Sequence, residues 1–288
     1  MESQLVFQEK KEMERLRVQN RLLSGYEKPI LAQMFSERCD LAVLDVGCND
    51  GMKTVEQFTS DSVSRVIGLE YNPDLVQTAQ QKYGDERFSF YHFDVEREEV
   101  AQRLRAIMDE NQIEAFDVIY LSFLLMHLSD VSKLLAALKP FLKEDGKLFI
   151  IEANDRVSTL SNDQMGLLGE FLEILRKEKY SGNREVGAVI CEKLADCGYK
   201  DICVWHDFVS AGAGEPEKKQ DIFTTFFTYL AEDITLLLNA EPENEEYRTW
   251  AAWIESNYSV LKDLVLQDES MIAMGIRILT CGKGREND

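Results

Sequence analysis

The sequence predicts an α/β protein with a doubly wound, mostly parallel seven-stranded sheet, and three observations carry that prediction. Strand-like and helix-like runs alternate from Leu41 onward. One of them, "LAVLDVGCNDGMKT" at 41–54, is an apolar run that breaks into a loop with Gly47 and Gly51 four residues apart. The strand-like runs also end on polar residues, at the edge where ligands bind an open parallel sheet.

The elements follow in order. An amphipathic helix is expected over 8–24, where Met13, Leu16, Leu22 and Leu23 sit among charges. "LAVLDV" is short and β-branched enough for a buried strand, and Met52, Val55 and Phe58 face inward from the helix after the glycine loop. "RVIGLEY" (65–71) leads to "NPDLVQTAQQKYG", where Asn72 suits an N-cap, Pro73 the first turn and Gly84 the stop. "FSFYHFDV" (88–95) precedes a charged helix at 96–110. "FDVIYLSF" (116–123) precedes a helix whose Val131, Leu134, Leu135, Leu138 and Leu142 share one face, and "KLFIIE" (147–152) is the fifth strand. A further helix and strand lie in 184–215, and "SMIAMGIRILTCGK" gives a last, antiparallel strand. Two helical insertions, roughly 155–183 and 216–268, complete the fold as a cap; the aromatic residues of the second, at helical spacing, read as core, with a dimer interface as the alternative.

Composition narrows the function. A net charge of −20 repels phosphate backbones and anionic membranes, so no nucleic-acid partner is expected. The N-terminal stretch shows no apolar signal core, and the longest nearly apolar run, 118–126, is too short to span a bilayer. No membrane partner is expected. The six cysteines form no C-x-x-C pair and no metal-binding set; reduced, mostly buried thiols in a cytoplasmic protein are the expectation, with no metal.

The strand ends give the candidate site: Asp45 to Gly47 after the first strand, Glu70 after the second, Asp94 after the third, Ser122 after the fourth and Glu152 after the fifth. Glu70 lies nineteen residues beyond Gly51, where a carboxylate suits two ribose hydroxyls. The loop departs from the dinucleotide fingerprint: it lacks a third glycine and carries Asp50, a poor neighbour for a diphosphate. Such an acid is tolerable beside a ligand with net positive charge.

"VLDVGCNDG", "IGLEYNPDLVQTA", "FDVE", "FDVIYLSFLLMHLSD" and "LKPFLKEDGKLFIIE", in this order over about 41–152, resemble the successive motifs of class I S-adenosylmethionine-dependent methyltransferases. The resemblance implies a Rossmann-like core and S-adenosyl-L-methionine as cofactor, with S-adenosyl-L-homocysteine as product. It implies that Gly47 and Gly51 let the backbone approach the methionine moiety, that Asp45 orients the loop and that Glu70 holds the ribose. Tyr71 would flank the adenine, Asp94 accept from its amino group, Val95 pack on the ring, and Leu121 and Ser122 lie near the sulfonium. Asn49 stands where the family usually has glycine; asparagine tolerates left-handed backbone, so the loop is expected to form. The implied organisation is a helical lid (1–40), a cofactor-binding core (41–154), a helical insertion (155–183), core continuation (184–215), a helical cap (216–268) and the last core strand with a tail (269–288).

The activity expected is methyl transfer to an oxygen or nitrogen of a small organic acceptor. His127, a few residues past the fourth strand, is the candidate base; its alternative is a histidine satisfied by backbone at a helix start. His92, inside a strand, reads as structural, and His206 has no evident role. Asp155 and Glu152 suit a substrate amine or are solvated loop acids. Arg184 suits a substrate carboxylate or caps the next helix, and Gln19 and Arg21 suit the cofactor's carboxylate. Two other readings stand beside this one: a catalytically silent cofactor-binding interaction module, and a protein methyltransferase acting on a basic partner.

Overall fold

The computed structural model describes residues 10–284. The chain divides into two compact units. The sheet unit comprises Tyr26–Ala153, Val186–His206 and 277–284; the helical unit comprises 10–25, Asn154–Glu185 and Asp207–Ile276. The segment 1–9, part of the expected lid, lies outside the described residues.

The first helix, α1 (Lys10–Phe35), runs eleven residues past the expected end at 24 and contains Pro29. A proline inside a helix cannot donate to the carbonyl four residues back, which here belongs to Gly25. The division between the units falls at that residue.

The sheet is built on β1 (Leu41–Val46), β2 (Val63–Glu70), β3 (Phe88–His92), β4 (Phe116–Ser122) and β5 (Leu142–Ala153), in the spatial order β3-β2-β1-β4-β5. These pairs are parallel, with Asp45 opposite Gly68 on one side and Tyr120 on the other. The two-residue β6 (Thr159–Leu160) pairs antiparallel with β8 (Ile272–Gly282), β7 (Lys200–Ala211) also lies against β8, and β8 runs antiparallel to β5. The predicted fold class is found, with β6 raising the expected seven strands to eight. All six residues of β1 are buried, as a strand paired on both edges and covered on both faces demands.

Helices α2 (Met52–Gln57), α3 (Pro73–Tyr83), α4 (Val100–Glu110), α5 (Val131–Leu138) and, further on, α7 (Val186–Asp196) belong to this unit. Asn72 caps α3, its Oδ1 accepting from the Asp74 N–H at 2.9 Å, and Asp130 caps α5 through the Lys133 N–H at 3.0 Å. The buried face of α5, Val131, Leu134, Leu135 and Leu138, joins Leu104, Met108 and the apolar strand residues in one core. Each such side chain contributes about 1.5–3 kcal/mol on burial. Helix α4 starts at Val100 rather than 96, because Asp94 takes the Glu96 N–H and the Glu96 carboxylate takes the Ser129 N–H and hydroxyl.

In the helical unit, Asp163 caps α6 (Leu167–Lys177) by accepting the N–H groups of Leu167 and Leu168 at 2.9 and 2.8 Å. Helices α8 (Pro216–Phe227), α9 (Leu230–Ala240) and α10 (Glu245–Leu266) follow. The aromatic stripe is core here: Phe171 and Phe223 lie against Phe227 with ring centroids 4.8 and 5.1 Å apart. Among the described residues no helix is long and apolar enough to cross a membrane. The six cysteines are unpaired; only Cys48 and Cys281 are buried and Cys39 and Cys203 are exposed, against the expectation of mostly buried thiols.

Two buried acids tie the sheet unit together. Asp117, at the start of β4, accepts from the Ala42 N–H at 2.8 Å and pairs with Arg38 at 2.6 Å and Lys143 at 2.8 Å. Glu152, near the end of β5, is fully buried; its Oε1 accepts from the Leu125 N–H at 2.5 Å and its Oε2 has no partner. It was expected as a solvated acid or an amine ligand, and instead it holds the 3-10 turn Leu125–His127. Burial pushes its pKa up to about 8, against the opposing pull of backbone N–H donors at Leu124, Leu125 and Met126.

Two predictions follow from these acids. Asp117→Asn keeps an acceptor for Ala42 but loses both ion pairs; it should lower the unfolding free energy by about 1–2 kcal/mol, and Asp117→Ala by about 3, in urea titrations. An unchanged midpoint in both would remove Asp117 from the fold's supports. Glu152 binds more protons folded than unfolded between its ordinary value of 4.5 and about 8, so stability should fall as pH rises through that window. Glu152→Gln should flatten the melting temperature against pH there; a slope equal to the parent's would contradict this.

Candidate functional site

The order of strands reverses between β1 and β4, and the loop after β1 opens at that point. Gly47 (φ 85°), Asn49 (φ 52°) and Gly51 (φ 78°) are all left-handed, which only glycine and a few short polar residues adopt without strain. Asn49 therefore fills the position where glycine was expected by adopting glycine's backbone. A Cβ at Gly51 would sit 2.9 Å from both Ala79 and Phe90, so this glycine is also a packing requirement.

Hydrogen bonds fix the loop. The N–H groups of Gly47 and Cys48 donate to the Leu69 carbonyl at 2.8 and 3.0 Å. The Asn49 side chain accepts from the Asp50 N–H at 2.7 Å, and Asp50 accepts from the Met52 N–H at 3.1 Å. The loop acid thus turns back to cap α2, which accounts for its presence beside a ligand-binding turn. Asp45 is 3% exposed and accepts from the Thr54 hydroxyl at 2.6 Å; burial pushes its pKa up to about 6, with Thr54 and Lys53 pulling it back.

Glu70 closes the arrangement. Its Oε2 accepts from the Asn49 N–H at 3.0 Å and its Oε1 from the Asn72 N–H at 2.9 Å, so one carboxylate joins the loops after β1 and β2. Burial raises its pKa, opposed by the N–H donors of Asn72 and Asn49. Tyr71 beside it is 54% exposed, and its ring lies 6.4 Å from that of His92. His92, expected inside a strand, is the last residue of β3 and is exposed to solvent. Asp94 is partly exposed; it accepts from the Glu96 N–H at 3.0 Å and meets Arg97 at 3.3 Å. Val95 packs partly buried against the core.

On the other side of the reversal, Leu121 is buried opposite Val46, and the Ser122 hydroxyl lies 2.9 Å from the Lys53 ammonium. His127 ends the turn held by Glu152 and is exposed. The loop residues, Glu70 and Ser122 are thus gathered at one edge, with Tyr71, Asp94 and Val95 continuing along the ends of β2 and β3. Two acids, an exposed aromatic ring and a glycine loop at a strand–helix junction are a donor set that suits a nucleoside-bearing ligand.

Some sequence expectations are corrected. Arg21 pairs with Asp221 at 2.6 Å, and Gln19 accepts from Arg15 at 2.9 Å. Arg184 is buried against Asp155, both oxygens of which it engages at 2.7 and 3.0 Å. Neither member of that pair is a solvated loop residue.

A buried network was missed. Glu27 on α1 is fully buried; it accepts from the Tyr120 hydroxyl at 2.7 Å, pairs with Lys53 at 3.0 Å and accepts from Gln57. Lys53 also lies 5.4 Å over the Tyr120 ring. One signal was legible: Glu27 shares a helical face with Leu23, Ile30 and Leu31, and an acid on an apolar stripe requires a partner.

Comparison with known proteins agrees with this geometry. A family model described as a methyltransferase domain matches residues 15–184, more than half of the chain. No protein of curated function matches the sequence. Among solved structures, the YcgJ protein of Bacillus subtilis is similar over 91% of this chain and 99% of its own, at 16% identity and a TM-score of 0.52. The [4+2]-cyclase SpnF is similar over 89% of this chain and 80% of its own, at 16% identity and a TM-score of 0.50. At such identities these likenesses speak to the fold, which one of them uses for a cyclisation. The family rests on the matched domain and on the five ordered motifs that end at the site: this chain belongs to the methyltransferase-domain family, with the α/β fold of class I S-adenosylmethionine-dependent methyltransferases.

Proposed function

We propose that the chain transfers a methyl group from S-adenosyl-L-methionine to an oxygen or nitrogen of a small organic acceptor, leaving S-adenosyl-L-homocysteine. The observation that carries this reading is the Glu70 carboxylate, held between the Asn49 and Asn72 N–H groups beside a left-handed glycine loop. In this reading Gly47, Asn49 and Gly51 receive the methionine moiety, and Asp45 fixes their loop through Thr54. Glu70 accepts from the ribose hydroxyls, Tyr71 covers the adenine, Asp94 accepts from its amino group in place of the long Arg97 contact, and Val95 packs on the ring. Leu121 and Ser122 border the sulfonium end.

When bound, the cofactor supplies an electrophilic methyl group on a cationic sulfur. The chain's own task is to align the acceptor, exclude water and leave the nucleophile a lone pair. His127 is the acceptor-side base in this reading; its exposure suits exchange of the proton with solvent. A net charge of −20 supports a small molecule over nucleic acid, and six unpaired cysteines support a cytoplasmic setting.

Titration calorimetry of the full chain with S-adenosyl-L-homocysteine should give micromolar binding. Asp94→Ala and Glu70→Ala should each weaken it roughly tenfold or more, and His127→Ala by less than about threefold. A larger effect from His127→Ala than from Glu70→Ala would overturn the placement of the two residues. An inert parent protein would overturn the cofactor assignment itself.

A further inference from the structure

The helical unit buries charge that its fold does not account for. Glu12 and Arg15 on α1, Asp155, then Glu178, Ser181 and Arg184 after α6, Thr225 on α8, and Tyr229 and Asp233 at the start of α9 all belong to it. Two cations meet four acids. Arg15 grips both oxygens of Glu12, at 2.7 and 2.6 Å, and also donates to the Thr225 carbonyl at 2.8 Å. Arg184 grips both oxygens of Asp155. Burial works to lower the Arg184 pKa, but Asp155, Tyr229 and Glu178 more than offset it, so the guanidinium stays charged. Glu178 is satisfied by the N–H groups of Tyr180 and Ser181 at 2.7 and 2.5 Å.

What remains is Asp233. It is 3% exposed, and its Oδ1 has no hydrogen-bond partner. The hydroxyls of Tyr229 and Thr225 are likewise buried and unpartnered. Tyr229 and Asp233 lie one helical turn apart, the Asp233 N–H donating to the Tyr229 carbonyl at 3.0 Å, so their side chains share a face. Arg15 lies 5.0 Å over the Tyr229 ring, which joins this face to the paired charges. A buried carboxyl and hydroxyls without partners are costly, and folded proteins retain such groups where a ligand completes them. Both guanidinium forks are already filled by carboxylates, so the cluster holds no open site for an anion. Its surplus is acidic.

We infer that Asp233, with the hydroxyls of Tyr229 and Thr225, forms a binding site in the helical unit for the ammonium group of a small organic amine. The site lies wholly within the helical unit and stands as a binding site by itself, apart from the methyl-transfer reading above. The electrostatics agree with the geometry. Burial pushes the Asp233 pKa up to about 8, helped by Glu178, Glu12 and its neighbour Glu232 and opposed by Arg15. At neutral pH the free carboxyl therefore holds its proton, and an arriving ammonium expels it.

The test is calorimetry on the full chain without cofactor. The probes are methylamine, propylamine and hexylamine, with 1-propanol and propionate as neutral and anionic controls. Amines should bind and the controls should not. Heats compared in buffers of different ionisation enthalpy should show about one proton released at pH 7, and affinity should rise roughly twentyfold between about pH 6.5 and 8.5. Asp233→Asn keeps the shape and removes the charge, so amine affinity should drop at least about tenfold while the melting temperature holds or rises. A merely structural Asp233 would show the reverse: a lowered melting temperature and amine heats like the parent's. Binding of propionate or propanol as tight as propylamine, or no amine binding by a chain that still binds S-adenosyl-L-homocysteine, would overturn the site.

Discussion

One carboxylate organises the ligand edge of the sheet. Glu70 accepts the Asn49 N–H with one oxygen and the Asn72 N–H with the other, so the loops leaving β1 and β2 are set by a single half-buried acid. Without it, two backbone donors at the edge lose their acceptor, and the left-handed run from Gly47 to Gly51 loses its outer tie. The geometry is prepaid in the folding of the chain rather than at the moment a ligand arrives. The same group is the one proposed to accept from ribose, which makes order of the loop and recognition of the ligand one property.

Beneath that edge lies a second layer of charge. Asp45 is fixed by Thr54, and Lys53 from the same short helix reaches both Glu27 and Ser122. Glu27 in turn collects Tyr120 and Gln57, so the interior of the sheet unit is tied to α1 through an acid that is fully buried yet saturated with donors. Saturation is what makes such an acid tolerable. Glu152 is the contrasting case, with one oxygen used and the other bare, and it consequently carries the raised pKa of a desolvated carboxyl.

The two units solve burial differently. The sheet unit fills its core with aliphatic strand and helix residues, as parallel strands covered on both faces require. The helical unit combines an aromatic core around Phe227 with matched ion pairs and a residue of unmatched polar groups at Asp233 and Tyr229. A shared fold leaves the reaction open, because function resides in sites built upon it.

The sequence alone determined the sheet, its order of elements and the loop. Alternating periodicity, Asn72 with Pro73, and Gly47 with Gly51 are local signals, each acting within a few residues of chain. Even the Asn49 substitution was legible, since left-handed backbone is a property of the residue itself. Glu27 on its apolar helical face aside, tertiary structure alone decided which charges are buried. Arg15 meets the Thr225 carbonyl across 210 residues, Lys53 meets Ser122 across 69, and Arg184 meets Asp155 across 29. No pattern within a helix or strand identifies such a partner, so Arg184 read as a substrate ligand or a helix cap, Glu152 as an amine ligand or a solvated acid, and Asp233 as nothing at all. Burial turns an ordinary acid into a neutral one or a ligand, and burial is a property of the whole fold.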